Sequence, residues 1–357
     1  MANVSGNVTS TPAAVAPQVD PWLGLRVGIG TAACIVFILG FFGNLTILVT
    51  IIKNKRKGMN TLMYYLICNL AVYDILVMII SLPMTIVQDL AFYWVFGPVL
   101  CRITLGLPFL FAAGSITTMV AIAIDRYFVV LQAANPNPKQ GKKGLVTLII
   151  FIIAFSFALP SIIYTQYDTS VPGYPQCGIE FSTDPNQQME SLRIYTIAIF
   201  VILFITPLLI VVCIYSLILY EIHRRNNKAN LHYNRAYGKA NRKTIKMMLL
   251  VSVTFIMCWI PLFICFFIIA YGAVTNQTRI TFFFIYAVSH LVSYCNSAAN
   301  PLIYAGFTSR FRKSLWYVFS LQIVKEISEH RCGLQSRETK VMRLSVSKRQ
   351  KSEHRQL

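Results

Sequence analysis

Apolar residues run along this chain in seven long blocks, near 27–53, 60–88, 98–131, 143–164, 192–223, 240–271 and 279–305, with polar stretches between them. A helix needs about 20 residues to cross a hydrocarbon core, and every block is at least that long. None alternates with the period of two that a membrane strand requires. A spanning segment has to satisfy its backbone hydrogen bonds internally. The pattern therefore predicts an all-α membrane protein, a bundle of seven transmembrane helices over 27–305 preceded by a tail at 1–26.

Composition and charge refine this picture. The chain is 56% hydrophobic and only 13% charged, about half the charged fraction of a soluble domain. The net charge of +19 would suit nucleic acid if it were spread evenly, but it is not. Only Arg26, Arg102, Arg193 and Arg279 fall on one side of the predicted spans, and the remaining 28 Lys and Arg fall on the other. The crowded side includes Lys53, Lys55, Arg56 and Lys57 in the first loop and Arg224, Arg225, Lys228, Arg235 and Lys239 in the third. That asymmetry follows the positive-inside rule. It predicts a multi-pass membrane protein with its N-terminus outside and its C-terminus in the cytosol. It replaces a nucleic-acid partner with anionic lipid headgroups at the inner face. The first 25 residues lack the basic start and apolar core of a cleavable signal. Asn3, Asn7 and Asn276 each begin a glycan acceptor pattern on the predicted outer side. Asn44-Leu45-Thr46 fits the same pattern, but it lies inside the first span and should stay unmodified.

Nine cysteines sort by side. Cys34, Cys68, Cys213, Cys258, Cys265 and Cys295 lie within spans and are expected as reduced core residues. Cys332 is cytosolic and well past the last span, where palmitoylation is not the expectation. Cys101 and Cys177 are the two left facing the oxidising exterior, which predicts a disulfide between them.

Polar residues inside the spans are costly and need a reason. Asp74 lies deep in the second span with no Lys or Arg nearby in sequence. It is either a protonated acid bonded to a neighbour or an ion or proton site; Ser115, Asn296, Ser297 and Asn300 in other spans favour the second reading. The third span ends in Asp125-Arg126-Tyr127, a charge pair at the inner boundary. The sixth carries Trp259 two residues before Pro261, and the seventh ends in Asn300-Pro301-Leu302-Ile303-Tyr304. Each proline removes a backbone donor and predicts a kink.

These motifs, in this order, resemble the rhodopsin-like (class A) G-protein-coupled receptors over about residues 27–320. Gly43-Asn44, Asp74, Arg126, Pro207, Tyr215, Trp259, Pro261, Asn300, Pro301 and Tyr304 are similar to that family's markers, one span at a time. Trp94 and Gly97 before Cys101 are similar to its first outer loop, and Gly306-Phe307 with Phe311-Arg312 to the start of its eighth helix. The resemblance implies an amphipathic helix at 306–321 followed by a basic tail at 322–357. It implies an activation switch made of Asp125, Arg126, Tyr127, Tyr215, Trp259, Pro261, Asn300, Pro301 and Tyr304, and a transmission cluster of Ile116, Pro207 and Phe255. Asp74, Ser115, Asn296, Ser297 and Asn300 would form an allosteric sodium site, with no other metal or cofactor. A heterotrimeric G protein, arrestin and receptor kinases are the implied cytosolic partners. The chain departs from the pattern at Phe151, where helix four usually has tryptophan, at Ala133-Ala134 in the second inner loop, and at Asn241, where helix six often has an acid.

The same resemblance narrows the ligand. A retinal pigment needs a lysine where Tyr294 stands, and an amine receptor needs an acid where Pro108 stands. The segment 165–191 is long, and Tyr167, Tyr174, Phe181 and the prolines beside Cys177 suit a hairpin lid. Pro83 is also similar to peptide receptors. Asp20, Asp89, Asp168, Glu180, Asp184 and Glu190 outnumber the four outer bases and would steer a cationic ligand. An extracellular peptide, of the neuropeptide kind, is the expected ligand, with a lipid or small neutral ligand as the alternative. Asp89, Pro108, Glu180, Trp259, His290 and Tyr294 are the candidate pocket residues. A secondary transporter would show internal repeats, and none is found. An enzyme would show a nucleophile, metal or phosphate-loop motif, and none appears.

Overall fold

The computed structural model describes residues 21–131, 143–228, 233–275 and 277–319, without the side chains at 57, 131, 143, 225–242 and 319. Asn3, Asn7, Asn276, Ala133-Ala134, Cys332, the tail at 322–357 and the side chain of Asn241 lie outside the described residues.

Seven long helices form the bundle. They are α1 (Leu23–Lys53), α2 (Leu62–Ala91), α3 (Gly97–Leu131), α4 (Lys143–Ile163), α5, α6 (Tyr233–Ala270) and α7 (Arg279–Phe307). Helix α5 runs through Pro185–Ile199, a π-helical stretch Phe200–Ile205 and Thr206–Lys228. A short α8 (Ser309–Phe319) follows, after Thr308 takes an extended conformation and ends α7. The strands β1 (Thr165–Asp168) and β2 (Gln176–Ile179) form an antiparallel hairpin between α4 and α5, with Tyr167 opposite Cys177.

Several boundaries differ from those expected, and each difference has a local cause. Helix α1 starts at Leu23, inside the expected tail, because Trp22 packs on Phe284 (5.1 Å) and Arg26 lies over the Phe92 ring (4.8 Å). Helix α5 starts at Pro185 rather than 192. The Asp184 carboxylate accepts from the N–H groups of Asn186 (2.8 Å) and Gln187 (3.2 Å), an N-cap followed by proline at the first helical position. That first turn is polar, so the apolar block did not include it. Among the described residues, six helices are long and apolar enough to cross a membrane by composition. Helix α7 falls short of that measure because its inward face carries buried Ser289, Ser293, Asn296, Ser297 and Asn300.

Helix α3 is the axis, packed against α2, α4 and α5, while α7 closes the bundle against α1 and α6. Small residues let the helices approach closely. A Cβ on Gly43 would stand 2.7 Å from the Pro301 ring, and one on Gly114 would meet the Tyr73 ring at 2.4 Å. The outward face is apolar, with Phe42, Val49, Leu148, Ile152, Leu209 and Val212 exposed. Cys258 and Cys265 are buried as expected, but Cys34 and Cys213 face outward, because a helical span turns a new face every residue.

Candidate functional site

A cavity of about 400 Å³ opens at the hairpin end and descends between α2, α3, α5, α6 and α7. Its roof is Cys177, Gly178 and Ile179 of β2. The disulfide Cys101–Cys177 ties that strand to the start of α3 across 76 residues of sequence. Beside it Trp94 is buried, and its indole N–H donates to the Gly97 carbonyl at 2.7 Å. Gly97 itself sits at φ 76°, a conformation that favours glycine. On the far side Gln188 fastens the hairpin to α5. Its amide donates to the Ile179 carbonyl (2.9 Å) and accepts from the N–H groups of Phe181 (2.6 Å) and Ser182 (3.2 Å). Sequence reasoning missed Gln188, since nothing local marks a glutamine whose partners depend on the hairpin's fold. At the hairpin tip Ser170 donates to Asp168 through hydroxyl and backbone N–H, which holds that exposed carboxyl below the usual carboxylate range.

Asp89, Pro108, Trp259, His290 and Tyr294 line the cavity together. Glu180 does not. Side chains alternate along a strand, and with Ile179 facing the cavity Glu180 faces solvent, its N–H donating to the Tyr164 carbonyl at 2.8 Å. His290 Nδ1 lies 2.8 Å from the Asp89 carboxylate, joining α7 to α2. The Tyr294 hydroxyl donates to Thr85 at 2.7 Å, and the Tyr286 ring is 4.3 Å from the His290 ring.

The cavity floor includes Ser115, Asn296 and Ser297, directly above Asp74. Asp74 is wholly buried; it accepts from the Ser297 hydroxyl at 2.7 Å and from the Asn300 amide at 2.8 Å. Asn44, also wholly buried, donates to the carbonyls of Gly40 (2.9 Å) and Ser297 (3.0 Å), so its acceptor pattern is inaccessible to a glycan. The side-chain oxygens of Asn44, Asn296 and Asn300 are buried with no hydrogen-bond partner among the described residues.

Trp259 stands between Phe255 (5.8 Å) and Phe263 (6.1 Å), one turn above the region where Ile116, Pro207 and Phe255 converge. Those three surround a second, small cavity of about 20 Å³. At the end opposite the hairpin, Arg126 bonds the Asp125 carboxylate through Nε (3.0 Å) and a second nitrogen. Tyr127 is half-buried there, and Tyr215 and Tyr304 are buried. The Tyr304 ring lies 6.2 Å from Phe311 of α8, and its hydroxyl has no partner among the described residues. Pro261 and Pro301 lie within α6 and α7, as the motifs require.

A seven-helix bundle with a cavity at one end, a buried acid network at its centre and an Asp–Arg pair at the other end has the arrangement of a membrane receptor. Residues 43–304 match the family model described as 7 transmembrane receptor (rhodopsin family), and the chain belongs to that family. Curated relatives include the Neuropeptide FF receptor 2 of Rattus norvegicus, 28% identical over 85% of this chain and 75% of its own length. The Neuromedin-K receptor of Homo sapiens is 27% identical over 86% and 68%. The Neuropeptide Y receptor type 1 of Xenopus laevis is 26% identical over 97% and 91%.

Proposed function

We propose that this chain is a plasma-membrane receptor for an extracellular peptide, whose binding it relays to a heterotrimeric G protein. The observation that carries this reading is the cavity. It is open at the hairpin end, of a size that admits part of a ligand, and lined mostly by apolar and aromatic residues with a few polar groups. A cavity of this size holds the side chains of a peptide terminus while the rest of the peptide lies over the hairpin. The relatives named for neuropeptide receptors point the same way.

The one-sided distribution of Lys and Arg supports an orientation with the hairpin end outside and the Asp125–Arg126 end in the cytosol. Agonist then acts as a population shift. It binds better to a form in which α6 has pivoted near Pro261, and Arg126 exchanges Asp125 for the G protein. Receptor kinases and arrestin engage the cytosolic face, and anionic lipids its basic rim. The central network suits sodium: one carboxylate, the hydroxyls of Ser115 and Ser297, and the unpartnered amide oxygens of Asn296 and Asn300 form a hard-oxygen set with a single negative charge. A cation held there would favour the resting form by bridging α2, α3 and α7.

The test is a pooled peptide library applied to cells expressing the full chain with a promiscuous Gα and a calcium readout. A saturable response to one peptide series, absent in untransfected cells, is expected. A response to lipid or neutral small-molecule pools alone would overturn the peptide reading.

A further inference from the structure

We infer that Asp89 is the docking point for a cationic group of the ligand, a guanidinium by preference, with His290 steadying the carboxylate. This rests on the peptide-receptor reading above and adds the chemistry of the residue that enters the cavity. Asp89 is the only acid among the described residues lining the cavity, and no Lys or Arg lines it. Its side chain is only 7% exposed. A carboxylate so buried is costly unless it is paired.

The structure offers it one partner. His290 Nδ1 approaches Oδ2 at 2.8 Å, and no other hydrogen bond to this carboxylate is formed among the described residues. The nearby Tyr294 hydroxyl is committed to Thr85. Of the four arginines of this end, Arg102 does not line the cavity and the other three are engaged elsewhere. Arg26 lies over Phe92, Arg193 donates to the Ala270 carbonyl at 3.0 Å, and Arg279 lies over Phe283. Oδ1 therefore remains for a group that arrives from outside. The Tyr286 and Tyr294 rings flank the His290 imidazole, and a planar guanidinium can bond a carboxylate while stacking on such faces. Asp89 lies in the last turn of α2, so the cation would stop near the mouth. An apolar neighbour in the ligand could then reach down toward Pro108 and Trp259. The competing account is that Asp89 and His290 only brace α2 against α7.

Fragment binding separates the two without requiring the natural ligand. Purified full-length receptor is titrated with 2-phenylethylguanidine and with neutral 2-phenylethylurea, and binding is read by saturation-transfer NMR. We expect the guanidine to bind about tenfold tighter, equivalent to about 1.4 kcal/mol. Asp89→Asn should remove that preference while leaving urea binding in place. Equal binding of the two fragments, no binding of the guanidine, or a preference that persists in Asp89→Asn would overturn the inference. If Asp89→Asn is not recovered folded, Asp89→Glu replaces it; this variant keeps the charge, and loss of the preference there would equally count against the assignment. A peptide screen that fails while the guanidine preference holds would reject the peptide reading and leave the cation site standing.

Discussion

Replacing Asp74 probes the centre of the bundle, where two buried donors converge on one carboxylate. Hydrogen bonds to a charged acceptor contribute about 1.5–3 kcal/mol each and neutral ones about 0.5–1.5. Asp74→Asn keeps the shape. The new amide oxygen still accepts from Ser297 at the 2.7 Å position. Its new N–H faces the Asn300 amide donor, but Asn300 can turn its side chain over and present the oxygen that now has no partner. The two bonds lose about 2–3 kcal/mol together, and removing a buried charge offsets a similar amount. Asp74→Ala has no such remedy. It strands the Ser297 hydroxyl and the Asn300 amide in a buried site, at about 1–3 kcal/mol each. The alanine variant should therefore be less stable than the asparagine variant by roughly 2–6 kcal/mol, a fall of about 5 °C or more in the unfolding midpoint. The assay is thermal unfolding of purified receptor in NaCl and in KCl. Wild type should gain stability from Na⁺ relative to K⁺, and both variants should lose that difference. Alanine matching asparagine would show that the two bonds hold nothing together. A sodium-specific gain surviving in Asp74→Asn would place the ion elsewhere.

Other outcomes are expected elsewhere in the chain. Cys101→Ser and Cys177→Ser should each impair surface expression or ligand binding, and the double variant should be no worse than either single; additive losses would mean that the cysteines act separately. The loop closed by this bond gives an upper bound of about 4–5 kcal/mol, reduced because the spans already restrain the chain. Gly43→Ala should cost about 1–3 kcal/mol, read as lowered surface expression and unfolding midpoint, because its new Cβ meets the stiff Pro301 ring rather than a flexible chain end. A loss of less than about 0.5 kcal/mol would show that α7 slides away from α1 freely. Asn241→Glu would offer the switch arginine a charge-assisted bond, about 1 kcal/mol stronger than a neutral one, and should lower basal signalling, normalised to surface expression, by roughly fivefold. An unchanged baseline would assign closure of the inner face to other contacts. Glycosidase treatment should shift wild type but not a variant lacking Asn3, Asn7 and Asn276, because buried Asn44 cannot be modified.

Much of the architecture was legible without coordinates. Apolar blocks of bilayer length, a one-sided distribution of Lys and Arg and two cysteines on the oxidising side depend only on local composition and on which side of the membrane a residue lies. The polar residues inside the spans were conspicuous for the same reason: Asp74, Ser297 and Asn300 are expensive in an apolar setting wherever the helices turn out to face. Helix ends were less legible, because the polar first turn of α5 is held by Asp184 and by no apolar residue. Only the tertiary structure decided which polar groups meet. Asp89 and His290 are 201 residues apart, Asn44 reaches the Ser297 carbonyl across 253, and Gln188 binds a hairpin whose register no local pattern specifies. It also turned Glu180 away from the cavity that its position in the sequence had suggested. The physical reason is rotation: residues one step apart on a helix or strand face in different directions. The composition of a span establishes that it crosses the membrane, while packing against its neighbours, through contacts such as Gly43 on Pro301, sets which of its side chains face the cavity and which face lipid.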